Sequence, residues 1–466
     1  MREPIDIETL TNEVADSNFP DDRLNVRLKM LVSGLAVDPS RSLPASFDSA
    51  GLEGTYRFLS NHRVTPEGIL APHIEATKLR CEQAGDFLVL HDTTAFSYRW
   101  DGERKGLGRI VRAKPTSGQR FLAHVSLAVA ADGTRRPLGV VGLKPWARGP
   151  SPSGTEYQRW EEQIRLTSAQ LDARERAIHV MDREADDYQM FDSLIRDNHR
   201  FIARIQFNRW LQTSLGKVKL RTLFADISPC VEREVPLTRR KPKQKANEAK
   251  IHPPRSARTA KLSVAAETVA LKRPQTRRAH VTDAEPTLTI NVVRVWEREP
   301  PPGEAGVEWM LYTNDPIDTP EQQLAVVDHY RARWTIEEYF KALKTGCSFE
   351  SRQLQDYEAL INLLAILAPI AYRLLLIRSE ARCRPNEGAV ELLSPDHIDV
   401  LRARGRTKLS VNPTSREVYL AVAALGGHIK YGRDPGWITL ARGLERLDAM
   451  TEGWVAAKLQ LRSDQG

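Results

Sequence analysis

The chain has 466 residues, with 68 Lys and Arg against 60 Asp and Glu, for a formal net charge of +8. Hydrophobic residues make up 41% and charged residues 27%, which excludes a disordered or fibrous chain and leaves room for roughly two to four domains. Four scattered cysteines without a Cys-x-x-Cys pair support neither a disulfide scaffold nor a zinc finger and fit a reducing, cytosolic setting. The N-terminal stretch MREPIDIETLTNEVADSN is acidic and polar, so no signal peptide is expected. The apolar run from Leu363 to Tyr372 contains Pro369 and falls well short of the roughly 20 residues of a membrane span. No membrane association is expected.

Residues 1–72 read as a helical domain. Asp22 precedes RLNVRLKMLVSGLA, with Leu24, Leu28 and Leu31 on one face and Arg23 and Arg27 on another. A Pro/Ser-rich loop and the segment EGTYRFLSN follow, then a start signal at Thr65-Pro66-Glu67. From residue 86 the pattern turns to strands: DFLVLHD, FLAHVSLAVAADG and RRPLGVVGLKPW, the last two joined by Ala131-Asp132-Gly133-Thr134. A polar helix (TEYQRWEEQIRLTSAQLDARER), the strand AIHVMD, a helix around DYQMFDSLIRDN and the strand FIARI complete the series. This is the element order of an RNase H-like α/β core, although other α/β folds share parts of it.

Residues 207–315 break that rhythm with short β-like runs (KLSVAAETVAL, TLTINVVRVWE, VEWMLYT) between basic and Pro-rich loops, as an inserted β-rich subdomain would. A helix is expected from Asp318-Thr319-Pro320-Glu321 to about residue 344, and another over 356–380. The rest reads as helical, broken at Gly426-Gly427 and Pro435-Gly436. The expected domains are therefore 1–72, a catalytic α/β domain over 73–380 with its insertion, and a helical region over 381–466.

The positive charge is local. Residues 239–280 hold thirteen Lys and Arg but only Glu248 and Glu267, a net +11 that leaves the remaining chain at −3. Such a patch attracts a polyanion and releases its counterions; a solvated basic loop is the plainer alternative.

Three acids stand out. Asp92 ends the apolar strand FLVLHD, and Asp182 ends AIHVMD and opens Asp-Arg-Glu-Ala-Asp. Acids at the carboxyl ends of strands face the crevice where α/β sheets bind ligands, although a single one is more often a cap. Glu337 sits in Tyr330-Arg-Ala-Arg333-Trp-Thr-Ile-Glu337-Glu-Tyr-Phe-Lys341-Ala-Leu-Lys344. At about 100° per residue, Tyr330, Arg333, Glu337, Lys341 and Lys344 share a helical stripe roughly 80° wide, with Ile336, Phe340 and Leu343 beside it facing the core. On spacing alone this is a charged, solvated face with pairs such as Glu337–Lys341. Combined with two more acids, it has the makings of metal-assisted phosphoryl transfer: carboxylates suit hard Mg²⁺, and cations on the same face grip phosphates.

In these motifs the chain resembles the DDE transposases of the insertion-sequence class with a Tyr–x2–Arg–x3–Glu–x6–Lys signature. Tyr330, Arg333, Glu337 and Lys344 fill that signature, Lys341 matches a further basic residue, and HDTTAFSYR and MDREAD resemble the segments carrying the two catalytic Asp. The resemblance implies an RNase H-like core with an inserted β-subdomain, flanked by an N-terminal DNA-binding domain and a C-terminal helical dimerisation region. It implies that Asp92, Asp182 and Glu337 bind two Mg²⁺ ions, with Mn²⁺ able to substitute. A nick at the transposon end, a hairpin intermediate and strand transfer into target DNA would follow, within a homodimer bound to double-stranded DNA in the bacterial cytoplasm. Trp309 matches a residue that stacks on a flipped base; a strand Trp buried in the core is its plainer reading. By position, Arg204, Arg209 and Arg352 are phosphate contacts or surface charge, and Arg23, Arg27, Tyr56 and Arg57 are candidates for reading the end. The 239–280 stretch is longer and more basic than the resemblance leads one to expect, and 383–412 departs from the family's pattern. An inert DNA-binding descendant and a structure-specific nuclease are the alternative functions.

Overall fold

The computed structural model describes residues 11, 13–99, 102–109, 118–147, 156–171, 174–242, 253–275, 284–404, 407–429 and 434–463. Much of the basic stretch, 243–252 and 276–280, lies outside them. In chain order the elements are helices α1 (Asp22–Val37), α2 (Ser49–Leu59) and α3 (Pro66–Ala84), then strands β1 (Phe87–Tyr98), β2 (Gly108–Arg109), β3 (Gln119–Ala130) and β4 (Pro137–Ala147). Helix α4 (Glu156–Gln170), β5 (Ala177–Met181), α5 (Tyr188–Arg196) and β6 (Arg200–Arg204) lead into β7 (Trp210–Thr213), β8 (Gly216–Lys219), β9 (Val231–Leu237), β10 (Arg258–Lys272), β11 (Thr287–Glu297) and β12 (Glu308–Thr313). Helices α6 (Pro320–Ala332), α7 (Trp334–Lys341), α8 (Tyr357–Cys383), α9 (Pro395–Arg404), α10 (Ser415–Leu425) and α11 (Trp437–Ser463) follow. The chain is thus mixed α/β, in the expected order.

It divides into two compact units. The first comprises Met1–Thr155, Arg165–Ala173 and Trp334–Gly466; the second comprises Glu156–Ile164 and Arg174–Arg333.

In the first unit, β1, β3 and β4 form an antiparallel meander in which β1 pairs with β3 along its full length, from Phe87↔Ala130 to Tyr98↔Gln119. Helix α3 lies on β4 at Gly139, where a Cβ would stand 2.0 Å from Thr77 Oγ1; only a glycine admits so close an approach. Helix α8 is long and apolar enough to cross a membrane, but its apolar window is entirely buried. It is the axis of this unit's helical core. The C-terminal helices dock on it through a buried cluster: Arg373 donates to both oxygens of Asp448 at 2.9 and 3.0 Å, and His397 Nε2 lies 3.0 Å from Asp448 Oδ1. A buried carboxylate persists only when paired in this way.

In the second unit, β5 and β6 are parallel, joined by α5. The inserted strands do not form a separate sheet: β12 pairs antiparallel with β6 and continues through β11 and β10 to β9 and the β7–β8 hairpin. The core beneath holds Trp160, Phe191, Phe201 and Tyr312, with the Phe191 and Phe201 rings stacked at 5.4 Å. The β-rich insertion thus extends the edge of this unit's sheet beyond β6.

The N-terminal segment is tied into the first unit by a buried charge. Glu13 accepts from His73 Nδ1 at 2.7 Å and from Arg80 at 2.6 Å, while Arg80 also donates to the Leu138 carbonyl of β4. His73 Nε2 in turn lies 3.1 Å from the Val140 N–H, tying the cluster to β4 a second time. Burial pushes the Glu13 carboxyl up, but His73 and Arg80 outweigh it and bring it down to about 2. A depressed carboxyl stabilises the fold above its ordinary range near 4.5, and that contribution is lost as the pH falls toward 2. Glu13→Gln should therefore cost roughly 3 kcal/mol at pH 7. In urea titrations the gap from the wild type should narrow steadily between about pH 4.5 and 2; a pH-independent gap would contradict this assignment.

Candidate functional site

Asp92 is not at the end of a strand. It is the sixth of twelve residues in β1, opposite Val125, because Thr93, Thr94, Phe96 and Tyr98 are good strand formers and carry the pairing onward. The carboxylate is partly buried, and its Oδ1 accepts its neighbour's Thr93 N–H at 2.8 Å.

Glu337 occupies the first turn of α7, a helix seated by Ile336, Tyr339 and Phe340, all buried, and packed against β1. Two ties fix that seat. Lys344 Nζ donates to the Ala95 carbonyl of β1 at 2.7 Å and lies 5.3 Å from the Phe96 ring centroid; burial lowers its ammonium's pKa, with Glu350 opposing. Across the helix, Glu338 pairs with Lys341 at 2.5 Å and, at 3.5 Å each, with Arg378 and Arg382 of α8. Together these set the rotation of α7 and hence the direction of Glu337. Lys341 and Lys344, expected as phosphate contacts, thus hold protein partners here. Sequence reading passed over Glu338, although its signal was the i,i+3 spacing to Lys341.

The expected single helix from Tyr330 to Lys344 is interrupted twice. The α-helical ladder of α6 stops at Arg333, whose N–H bonds the Tyr330 carbonyl at 3.1 Å, and Ala342–Gly346 form a π-helical turn. A uniform 100° advance therefore does not hold along this segment. Ile336, Phe340 and Leu343 are nonetheless buried as expected.

In the second unit, Asp182 stands directly after β5, at the carboxyl end of a strand as read from sequence. Its Oδ1 also caps the short turn Arg183–Ala185 by accepting the Glu184 N–H at 2.7 Å. That turn is locked from behind. Asp186 accepts the Gln206 and Phe207 N–H groups at 2.7 Å each and pairs with Arg209 at 2.8 and 3.2 Å. Arg209 is consequently spent on the protein rather than presented to a phosphate. Trp309 is half-buried on β12, with its ring centroid 6.2 Å from that of the buried Tyr330. It belongs neither fully to the core nor to the surface. Arg204 is partly exposed and has no ion-pair partner among the described residues.

Arg352 corrects the expectation more sharply. It is 4% exposed, and its guanidinium donates to the carbonyls of Arg41, Pro39 and Cys347. It is a buried tie within the first unit, unavailable to DNA.

On the N-terminal helices, Arg23 is exposed and forks onto its own helix cap, Asp21, at 2.9 and 3.0 Å. Arg27 lies over Gly54 of α2, and Arg57 pairs with Glu53 one turn earlier. Tyr56 is exposed, as are Val26 and Met30 on α1. The last two form an apolar i,i+4 pair on the face opposite the buried Leu28 and Leu31 stripe, a spacing visible in the sequence.

Among the described residues, no group of three His, Cys, Asp or Glu is gathered as a metal cage. Asp92 and Glu337 belong to the first unit and Asp182 to the second. As donors they are all carboxylate, the set that suits Mg²⁺ or Mn²⁺.

Residues 8–64 match the family model of the transposase DNA-binding domain, and residues 158–373 match that of the transposase DDE domain. The second match takes in Asp182, Trp309 and the whole Tyr330–Lys344 segment; Asp92 precedes it. A piggyBac transposase in a synaptic complex with hairpin DNA is similar at a TM-score of 0.35 and 10% identity, over 80% of this chain and 72% of that one.

Arg209→Ala leaves the Asp186 carboxylate buried without its cation and should destabilise the protein by about 3–5 kcal/mol. Arg204→Ala should stay within about 0.5 kcal/mol of the wild type. Thermal unfolding of both variants checks this, and equal midpoints would contradict the role given to Arg209.

Proposed function

We propose that this chain, which carries a transposase DNA-binding domain and a DDE domain, is a cut-and-paste DNA transposase. In the finer reading it belongs to the subclass with the Tyr–x2–Arg–x3–Glu–x6–Lys signature and is similar to the transposase of bacterial transposon five. What carries the reading is the docking of α7 on β1: the Lys344–Ala95 bond sits three residues beyond Asp92 and fixes the helix bearing Glu337 against the strand bearing Asp92. The all-carboxylate chemistry of Asp92, Asp182 and Glu337 supports a divalent-metal role for the three.

Asp92, Asp182 and Glu337 would hold two Mg²⁺, which when bound activate water and offset charge at the scissile phosphate. The DNA-binding helices engage the terminal inverted repeat through Arg23, Arg27, Tyr56 and Arg57. In the first step water attacks phosphorus at the transposon end; one P–O bond forms, one breaks, and a 3′-OH is freed. That hydroxyl then attacks the opposite strand, again exchanging one P–O bond for another, and closes a hairpin. Trp309 stacks on the base that must leave the duplex for so tight a turn, while Arg333 faces the flanking phosphates; Tyr330, read from sequence as a further phosphate contact, is instead buried beside the Trp309 ring. Hydrolysis reopens the hairpin, and the 3′-OH joins target DNA. Because two ends must be cut together, the acting form is a homodimer.

Asp92→Asn, Asp182→Asn and Glu337→Gln should each lower nicking of an end-bearing duplex by more than a thousandfold, on the order expected for loss of a metal ligand, while leaving end binding intact. Trp309→Ala should still nick but form about tenfold fewer hairpins, about the worth of one stacked base. Denaturing gels with Mg²⁺ or Mn²⁺ separate these products. Full nicking by any one of the acid variants would remove that residue from the site, and breaks without hairpins from the wild type would favour a nuclease.

A further inference from the structure

Outside the residues used above, one surface of the second unit combines exposed rings with cations that lack acid partners. From Arg200 to Ala225 the sequence contains six Lys or Arg and no Asp or Glu. Arg200 is spent on Asp315 and Arg209 on Asp186. Lys217, Lys219 and Arg221 have no acidic partner among the described residues, and Lys272, on the adjoining strand β10, has none either. Lys272 stands beside Lys217, whose proximity, ahead of burial, holds the Lys272 ammonium below its usual value. Like charges placed side by side without an acid between them attract an anion.

The aromatic half of the surface is equally deliberate in its geometry. Phe207 is 50% exposed, Trp210 47% and Leu215, at the tip of the β7–β8 hairpin, 99%. A cation lies over each ring: Arg209 Cζ is 5.2 Å from the Phe207 centroid, and Lys219 Nζ is 4.1 Å from that of Trp210. The loop between them is rigid. Asp186 holds two of its N–H groups, Lys219 donates to the Asn208 carbonyl at 3.1 Å, and the Arg221 N–H donates to Asn208 Oδ1 at 2.9 Å. Single exposed apolar residues need no explanation; two rings backed by cations on a stapled loop beside unneutralised lysines do.

We infer that the 206–219 loop and hairpin, with Lys272, form a second DNA-contacting surface, gripping phosphates with Lys217, Lys219 and Lys272 and offering Trp210 to a base. The inference rests on the reading of this chain as a DNA transposase and adds a DNA segment beyond the terminal repeat. Stacking on an aromatic face tolerates any base, and lysine contacts read charge alone, so this surface suits DNA bound without sequence preference. Two sources share that chemistry: the donor DNA flanking the transposon end, and the target.

The test uses the full chain and the variant Lys217→Gln/Lys219→Gln/Lys272→Gln, with Trp210→Ala as a second, independent variant. Both should nick end duplexes that lack a flank as the wild type does. If flanking DNA is the ligand, each variant loses about tenfold in affinity for flanked ends only; if target DNA is, pre-cut ends join a plasmid target about tenfold less often. In either case the triple variant should flatten the dependence of log affinity on log salt by about 2–3, roughly 0.9 per phosphate contact removed. Unchanged behaviour in both arms overturns the inference, as does a loss confined to self-association in light scattering, which would make the surface a protein contact. Failure of the underlying reading shows differently: a wild-type protein that nicks no end, yet binds random duplex more tightly than the triple variant, keeps this surface and loses the transposase.

Discussion

A single ammonium on a single carbonyl seats the helix that carries Glu337 against β1. Lys344 reaches the Ala95 oxygen from a π-helical turn. A charge-assisted bond of this kind contributes about 1.5–3 kcal/mol, and being half-buried against Phe96 it is poorly screened by salt. Glu338 pulls on the other side through Arg378 and Arg382 of α8. Between two opposed ties a helix cannot roll, so Glu337 keeps one direction relative to the strand of Asp92.

The same principle recurs wherever a functional segment meets the scaffold. Asp186 braces the turn that presents Asp182, Glu13 binds the N-terminal segment to β4 through Arg80, and Arg352 stitches the loop after α1 to the segment after α7. Each is a buried charge satisfied by several hydrogen bonds, and each is costly to break because the surviving partner is left desolvated. Arg373, buried on Asp448, follows the same rule.

The element order was largely legible because strands and helices here follow clean hydrophobic periods: the apolar runs before Asp92 and Asp182, and the Pro-led starts of α3 and α6, announce themselves. The length of β1 was not, because an acid in mid-strand looks like a terminus when its β-branched successors are polar. The unbroken helix expected from Tyr330 to Lys344 failed for a similar reason: nothing local in the sequence marks a π-turn, which tertiary bonding to Ala95 stabilises. For the site, the three acids and the signature helix could be named from spacing and resemblance, but the fate of individual cations could not. Lys and Arg look alike in sequence whether they meet a phosphate, as proposed for Arg333, or a buried carbonyl, as Arg352 does.

The central proposal is that Asp92, Asp182 and Glu337 would serve one divalent-metal centre. Replacing Mg²⁺ by Fe²⁺ in the presence of ascorbate and peroxide generates radicals that cut the backbone only near the bound ion, and mass spectrometry maps the cuts. The account predicts three clusters of cleavage, around residues 92, 182 and 337, all suppressed together by excess Mg²⁺ and by any one of the three carboxamide variants. Cuts near 92 and 337 that persist without any near 182, with end DNA present, would contradict it.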